Sequence, residues 1–157
     1  MTESASIEVR RAGADDARWA VRTVREVKWH GSDEPSVLRS APQMCTWLSD
    51  ERNVLLVAAE GDRPIGFALG YLLARVDVGR PMLFFYEIEV VADRRQRGVG
   101  RALVDAMKDV GRQENVVRMW VQTDPDNVPA RTLYRSAGGV EREGTDLLYV
   151  WTNVQDA

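Results

Sequence analysis

The chain has 157 residues, 45% of them hydrophobic and 29% charged, with a formal net charge of −3. That length suits one substantial core and is too short for two ordinary domains, and the mildly acidic balance gives no general attraction for nucleic acid or an anionic membrane. A single cysteine, Cys45, and a single histidine, His30, exclude a disulfide framework or a cysteine/histidine zinc site within one chain, so no metal is expected.

The amino terminus, MTESASIEVRR, lacks the apolar run of a signal peptide, and no later segment is long and apolar enough to span a bilayer. The expectation is a cytoplasmic protein with no nucleic-acid or membrane partner. No linker, repeat or low-complexity tract divides the sequence, which reads as one domain over residues 1–157.

In chain order, IEVRRA predicts a short first strand. Asp15 is placed to cap a helix whose apolar positions Ala17, Ala20, Val21, Val24 and Val27 recur at helical spacing; Gly31 and Pro35 break the pattern. PQMCTWLSD predicts a second, short helix. NVLLVAAE has strand length and strand residues, and GDRP reads as a hairpin turn into the strand IGFALGYLLAR. A turn around Gly79 and Pro81 precedes the strand MLFFYEIEVV. After the basic stretch RRQRGVGRAL, Val99, Leu103, Met107 and Val110 fall on one helical face while Arg101, Asp105, Lys108 and Arg112 fall elsewhere. VVRMWVQT predicts a strand, NVPARTLYRSAGG a short helix stopped by glycines, and VEREGTDLLYVWT a closing pair of strands. Antiparallel hairpins followed by a strand-helix-strand unit imply a mixed α/β sheet with the long helix covering one face.

Arg95, Gly98 and Gly100 form the pattern Arg-x-x-Gly-x-Gly where a strand gives way to a helix. A helix start presents amides with no partner inside the helix, its dipole is positive there, and glycines let a ligand approach the backbone. Such a nest suits a pyrophosphate, with Arg94, Arg95, Arg97 and Arg101 adding charge at the rim. A Walker A loop would need Lys and Ser/Thr where Arg101 and Ala102 stand, and a dinucleotide fingerprint would need glycine in place of Leu103. A basic turn that merely starts a helix is the remaining alternative.

EIEVVADRRQRGVGRALV together with NVPARTLYRSAG, in which Asn127, Ala130, Leu133, Tyr134 and Gly138 stand in order, resembles the two main motifs of the Gcn5-related N-acetyltransferase (GNAT) superfamily. The resemblance implies an α/β fold with a mixed, mostly antiparallel central sheet of about six to seven strands flanked by about four helices. It implies acetyl-CoA as cofactor and transfer of acetyl to a primary amine. The cofactor would be held by the backbone at Ile88 and Val90, by the loop Arg95, Gln96, Arg97, Gly98, Val99, Gly100 and Arg101, and by Asn127, Ala130 and Tyr134. Tyr134 occupies the position of the acid that protonates the leaving thiolate; its plain alternative is a core tyrosine.

The amine must lose a proton before it attacks. Glu87 and Glu89 are two apart on YEIEV, which puts them on one face of the strand and Tyr86, Ile88 and Val90 on the other. Mutual repulsion or desolvation would raise a carboxyl pKa toward the useful range. Glu87 is favoured as base, with Glu89 assisting or binding the substrate ammonium; a solvent-facing polar side of the strand is the alternative.

YEIEVVADRRQRGVGRAL and WVQTDPDNVPARTLYRSAG are most similar to the aminoglycoside 3-N-acetyltransferases of type I, with Glu87 where that branch has aspartate. The small-molecule acceptor would then be polycationic, and Asp33, Glu34, Asp124 and Asp126 would line its pocket, joined by Glu141, Glu143 and Asp146. Trp29 and His30 would form an acceptor wall. The alternatives are a protein, peptide or polyamine acceptor on the same fold, or a sensor that binds acetyl-CoA without turnover. The family resemblance also suggests a homodimer.

Overall fold

The computed structural model describes residues 6–29 and 39–142. His30, Asp33, Glu34, Glu143 and Asp146 lie outside them, as does most of the segment expected to form the closing strands.

Strand β1 (Ile7–Arg11) pairs antiparallel with β2 (Asn53–Glu60), β2 with β3 (Arg63–Leu73) and β3 with β4 (Met82–Val90). Helix α3 (Val99–Gln113) then crosses over, so that the short β5 (Met119–Val121) lies parallel to β4 at the sheet's end. The described residues thus hold five strands in chain order, with α1 (Ala17–Lys28), α2 (Ala41–Leu48), α3 and α4 (Val128–Ser136) as four helices. Among them no helix is long and apolar enough to cross a membrane.

Helices cover both faces. Gly66 and Gly70 of β3 turn toward Val99, Leu103 and Met107 of α3. On the other face, Lys28 at the end of α1 bonds Glu87 of β4, whose register partner Leu69 is out of phase with Gly66 and Gly70. Double coverage explains why Val54 to Ala59 of β2 are buried without alternation. The predicted face of α3 is the observed one, with Val99, Leu103, Met107 and Val110 all buried.

Three boundaries differ from expectation. The carboxylate at the start of α1 is Asp16, not Asp15: it accepts the Gly13 N–H and an Arg10 N–H, each at 2.9 Å, and the Gly13 amide foremost holds its carboxyl below the usual range. Strand β3 begins at Arg63, because a bulge that leaves Ile65 as an extra residue on β3, opposite the step from Ala58 to Ala59 of β2, accommodates Pro64, which has no N–H to give the ladder. Strand β5 is three residues long rather than eight, with its pairing confined to Leu83, Phe84 and Phe85 of β4.

A second bulge decides the site. Leu69 faces Glu87 and the next residue, Gly70, faces Phe85, which leaves Tyr86 as an extra residue on β4. Alternation is interrupted there, so Tyr86 shares a face with Glu87 instead of opposing it: its ring meets Tyr71 and Phe84 edge-on, each with centroids 5.7 Å apart.

Candidate active site

The loop after β4 is wound by two left-handed residues, Gln96 (φ 58) and Gly98 (φ 84). The first bond inside α3 runs from the Ala102 N–H to the Gly98 carbonyl at 2.9 Å, so the amides of Val99, Gly100 and Arg101 precede it at the positive end of the helix. A Cβ on Gly98 would meet nothing within 4 Å; this glycine is needed for its backbone angle, and the space beside it is open. Gly100 has a different reason. A Cβ there would lie 3.1 Å from Leu133 Cδ2, so the second glycine lets α3 close on α4.

Gly100→Val should therefore lower stability by about 1–3 kcal/mol in denaturant titration, and adding Leu133→Ala should recover part of the loss. Strictly additive effects would show that the two positions do not share this space.

Of the four arginines expected at the rim, two side chains are engaged elsewhere. The Nε of Arg94 donates to both Glu60 oxygens at 3.0 Å and Arg94 also pairs with Asp93, fastening the loop to β2. Arg101 bonds Asp105 and the Ser136 carbonyl, each at 2.9 Å, so its backbone amide rather than its guanidinium faces the nest. Arg95 and Arg97 are exposed on the loop, and Arg95 Nε donates to the Val90 carbonyl at 3.0 Å. The Val99 side chain is in the core, leaving only its amide for a ligand.

Beyond Phe85, β4 and β5 separate. The Val91 N–H goes to the Ile65 carbonyl of β3 at 3.0 Å, and by alternation the N–H and C=O groups of Ile88 and Val90 point to the β5 side, where pairing has ended. Tyr134 of α4 stands at this fork, edge-on to Phe85 with centroids 6.0 Å apart, and burial pushes its phenol above the usual tyrosine value. Asn127 caps α4, its Oδ1 accepting the Ala130 N–H at 3.2 Å. That role was not expected from the motif.

Glu87 and Glu89 do share a face, through register partners Leu69 and Phe67. The group bonded to Glu87 is the Lys28 ammonium rather than its neighbouring carboxylate. The Lys28 ammonium also lies 5.3 Å from the centroid of the Trp29 ring. Running across this face is a band of rings: Trp47 meets Tyr71 at 6.3 Å, Tyr71 meets Tyr86, Tyr86 meets Phe84, and Phe84 stacks on Trp120 at 5.2 Å. Tyr86 is 54% exposed and gives the band its open surface. The Tyr71 phenol is pushed up mainly by burial, with the charge of Arg39 acting in the opposite direction.

The sequence reading missed Lys28, Arg39 and this band. Alternating rings in MLFFY and GYLL were the available signal. Two carboxylates of the expected acidic lining have partners within the chain. Glu141 pairs with Arg131 and Arg135, which hold its carboxyl below the usual range, and Asp124 accepts the Asp126 N–H at 2.8 Å in an exposed turn. Among the described residues no three His, Cys, Asp or Glu side chains are grouped to hold a metal ion.

A model of the acetyltransferase (GNAT) family matches residues 18–138. Streptothricin acetyltransferase of Streptomyces lavendulae is 26% identical over 114 residues, 65% of this chain and 58% of that protein. The uncharacterized N-acetyltransferase YhfO of Bacillus subtilis (strain 168) is 32% identical over 98 residues, 62% of this chain and 65% of that protein. Both matches span less than two thirds of the relative's length. The crystal structure of an aminoglycoside acetyltransferase from an uncultured soil metagenomic sample, in complex with sisomicin, shares the fold with a TM-score of 0.80 at 17% identity, covering 93% of this chain and 97% of that one.

Proposed function

The chain belongs to the acetyltransferase (GNAT) family, and from that premise we propose that it moves acetyl from acetyl-coenzyme A to a primary amine of an aminoglycoside-type small molecule, with Glu87 as base and Tyr134 as acid. The observation that carries this reading is the fork between β4 and β5, with the nest beyond it: Glu87 lies on its α1 face and Tyr134 packs on Phe85 on its α3 face.

The fit to the family's acetyl donor rests on the open side of Gly98 and on the amides that precede the first bond of α3. Those amides bind the diphosphate. The N–H and C=O of Ile88 and the N–H of Val90, whose carbonyl is bonded by Arg95, turn toward the fork and take the pantetheine arm. When bound, the cofactor supplies an acetyl group activated as a thioester. Glu87 removes a proton from the acceptor ammonium, and Tyr134 gives its proton to the departing sulfur. The ring band beside Glu87 suits an amino sugar, whose apolar ring face lies on an aromatic surface while its ammonium meets the carboxylate. Within the aminoglycosides, the resemblance of YEIEVVADRRQRGVGRAL to the 3-N-acetyltransferases of type I favours the 3-amine.

Thiol release from acetyl-coenzyme A, measured with sisomicin, spermidine and short peptides, tests the substrate class. Turnover with sisomicin well above that with peptides is the expected result. Turnover with peptides alone would replace this reading by a protein N-acetyltransferase, and cofactor binding with no turnover on any amine would leave only a sensor.

Tyr134→Phe should lower kcat by about 10²-fold and coenzyme A affinity far less, because the hydroxyl acts on the leaving group. Since burial holds the Tyr134 proton beyond the ordinary range, the alkaline fall in wild-type kcat belongs above the usual tyrosine pKa. An unchanged kcat in the variant would remove Tyr134 from the mechanism.

A further inference from the structure

We propose that Lys28 is an internal stand-in for the acceptor: its ammonium occupies the Glu87 carboxylate while no amine is bound, and an incoming amine must displace it. The inference rests on Glu87 being the group that takes the acceptor's proton.

Three features carry it. The pair joins the last residue of α1 to the bulged part of β4, with the two side chains 30% and 18% exposed, so it is partly withdrawn from water and its attraction is less screened than that of a surface ion pair. The displaced and displacing groups are alike, since Lys28 offers a primary alkylammonium, which is what the acceptor brings. Lys28 also has somewhere to go. While bonded to Glu87 its nitrogen is already 5.3 Å from the Trp29 ring, a contact it can keep when the carboxylate is taken, and the carbonyl end of α1 favours a cation. No atoms are exchanged in this displacement: Lys28 keeps its three protons, while the acceptor ammonium gives one to Glu87 and then attacks as the neutral amine.

The ring band strengthens the case. Tyr71 feels both Glu87 and the cation of Arg39, and Tyr86 lies beside it, so the aromatic surface an acceptor would use adjoins the carboxylate that Lys28 occupies. An acceptor therefore competes with a tethered cation for one carboxylate.

Lys28→Met retains the apolar stem and removes the charge, whereas Lys28→Arg retains the charge. Binding of sisomicin and of spermidine to protein saturated with coenzyme A, followed by calorimetry, should be about five- to tenfold tighter in Lys28→Met than in wild type. Lys28→Arg should stay near the wild-type affinity. With either amine as substrate, the KM for amine should fall in Lys28→Met by a similar factor while the KM for acetyl-coenzyme A stays within about twofold.

If neither amine binds Lys28→Met more tightly than wild type, the stand-in is overturned. A fall in kcat with an unchanged amine KM would also overturn it, since that pattern marks a residue that only positions Glu87. Glu87→Gln separates this failure from failure of the underlying reading. If that variant turns over like wild type, both fall; if it is inactive while Lys28→Met binds amine no better, only the stand-in is lost.

Discussion

Glu87→Gln should reduce turnover by about 10²- to 10³-fold while coenzyme A binds as tightly as before. The glutamine has the shape of the glutamate and its amide oxygen can still accept from Lys28, so the fold and the α1–β4 contact persist. What is lost is the capacity to take a proton from an ammonium. Coenzyme A affinity, read by calorimetry, is the internal reference, because the nest amides lie in the first turn of α3 and do not involve this carboxylate. Turnover within about threefold of wild type would move the base away from Glu87, with Glu89 on the same face as the next candidate.

The second large effect is expected at Gly98. With φ at 84, this residue occupies a region that β-branched side chains avoid, and the space beside it is open. Gly98→Val both strains the turn and fills the place assigned to the diphosphate. Coenzyme A affinity should fall by at least about 30-fold, equivalent to losing one or two hydrogen bonds to a charged group. The melting temperature should drop as well. Gly98→Asn separates the two causes, because asparagine tolerates a left-handed backbone. Its stability should stay close to wild type while its affinity still falls. Wild-type affinity in Gly98→Asn would mean that the diphosphate lies elsewhere.

How far the sequence foretold these features depends on the range of the interaction. The buried face of α3 follows from helical periodicity alone, and the left-handed Gly98 from a glycine at a strand-to-helix junction. The bulge at Tyr86 does not, because it is a property of how β3 and β4 align, and nothing within MLFFYEIEV marks where alternation slips. For the same reason the rings in MLFFY and GYLL signal a band only once β3 and β4 are aligned: it needs Tyr71 and Phe84 side by side, with Trp47 brought in from α2. Charges misled in both directions. Glu141, expected beside the acceptor pocket, is held by two arginines of α4, while Lys28, to which the sequence pattern assigns no role, reaches the proposed base. Asp16 took the place foreseen for Asp15 because its carboxylate, not its neighbour's, reaches the Gly13 amide.

The contact between Gly100 and Leu133 ties the two halves of the site to one another through their histories. Position 100 lies at the start of α3 beside the nest, and position 133 directly precedes Tyr134. Any descendant of this chain that acquires a side chain at the first position has to trim the second, or α4 is pushed outward with the tyrosine it bears. Substitutions at these two sites should accordingly be inherited as a couple, even though one stands in the first turn of α3 and the other in α4.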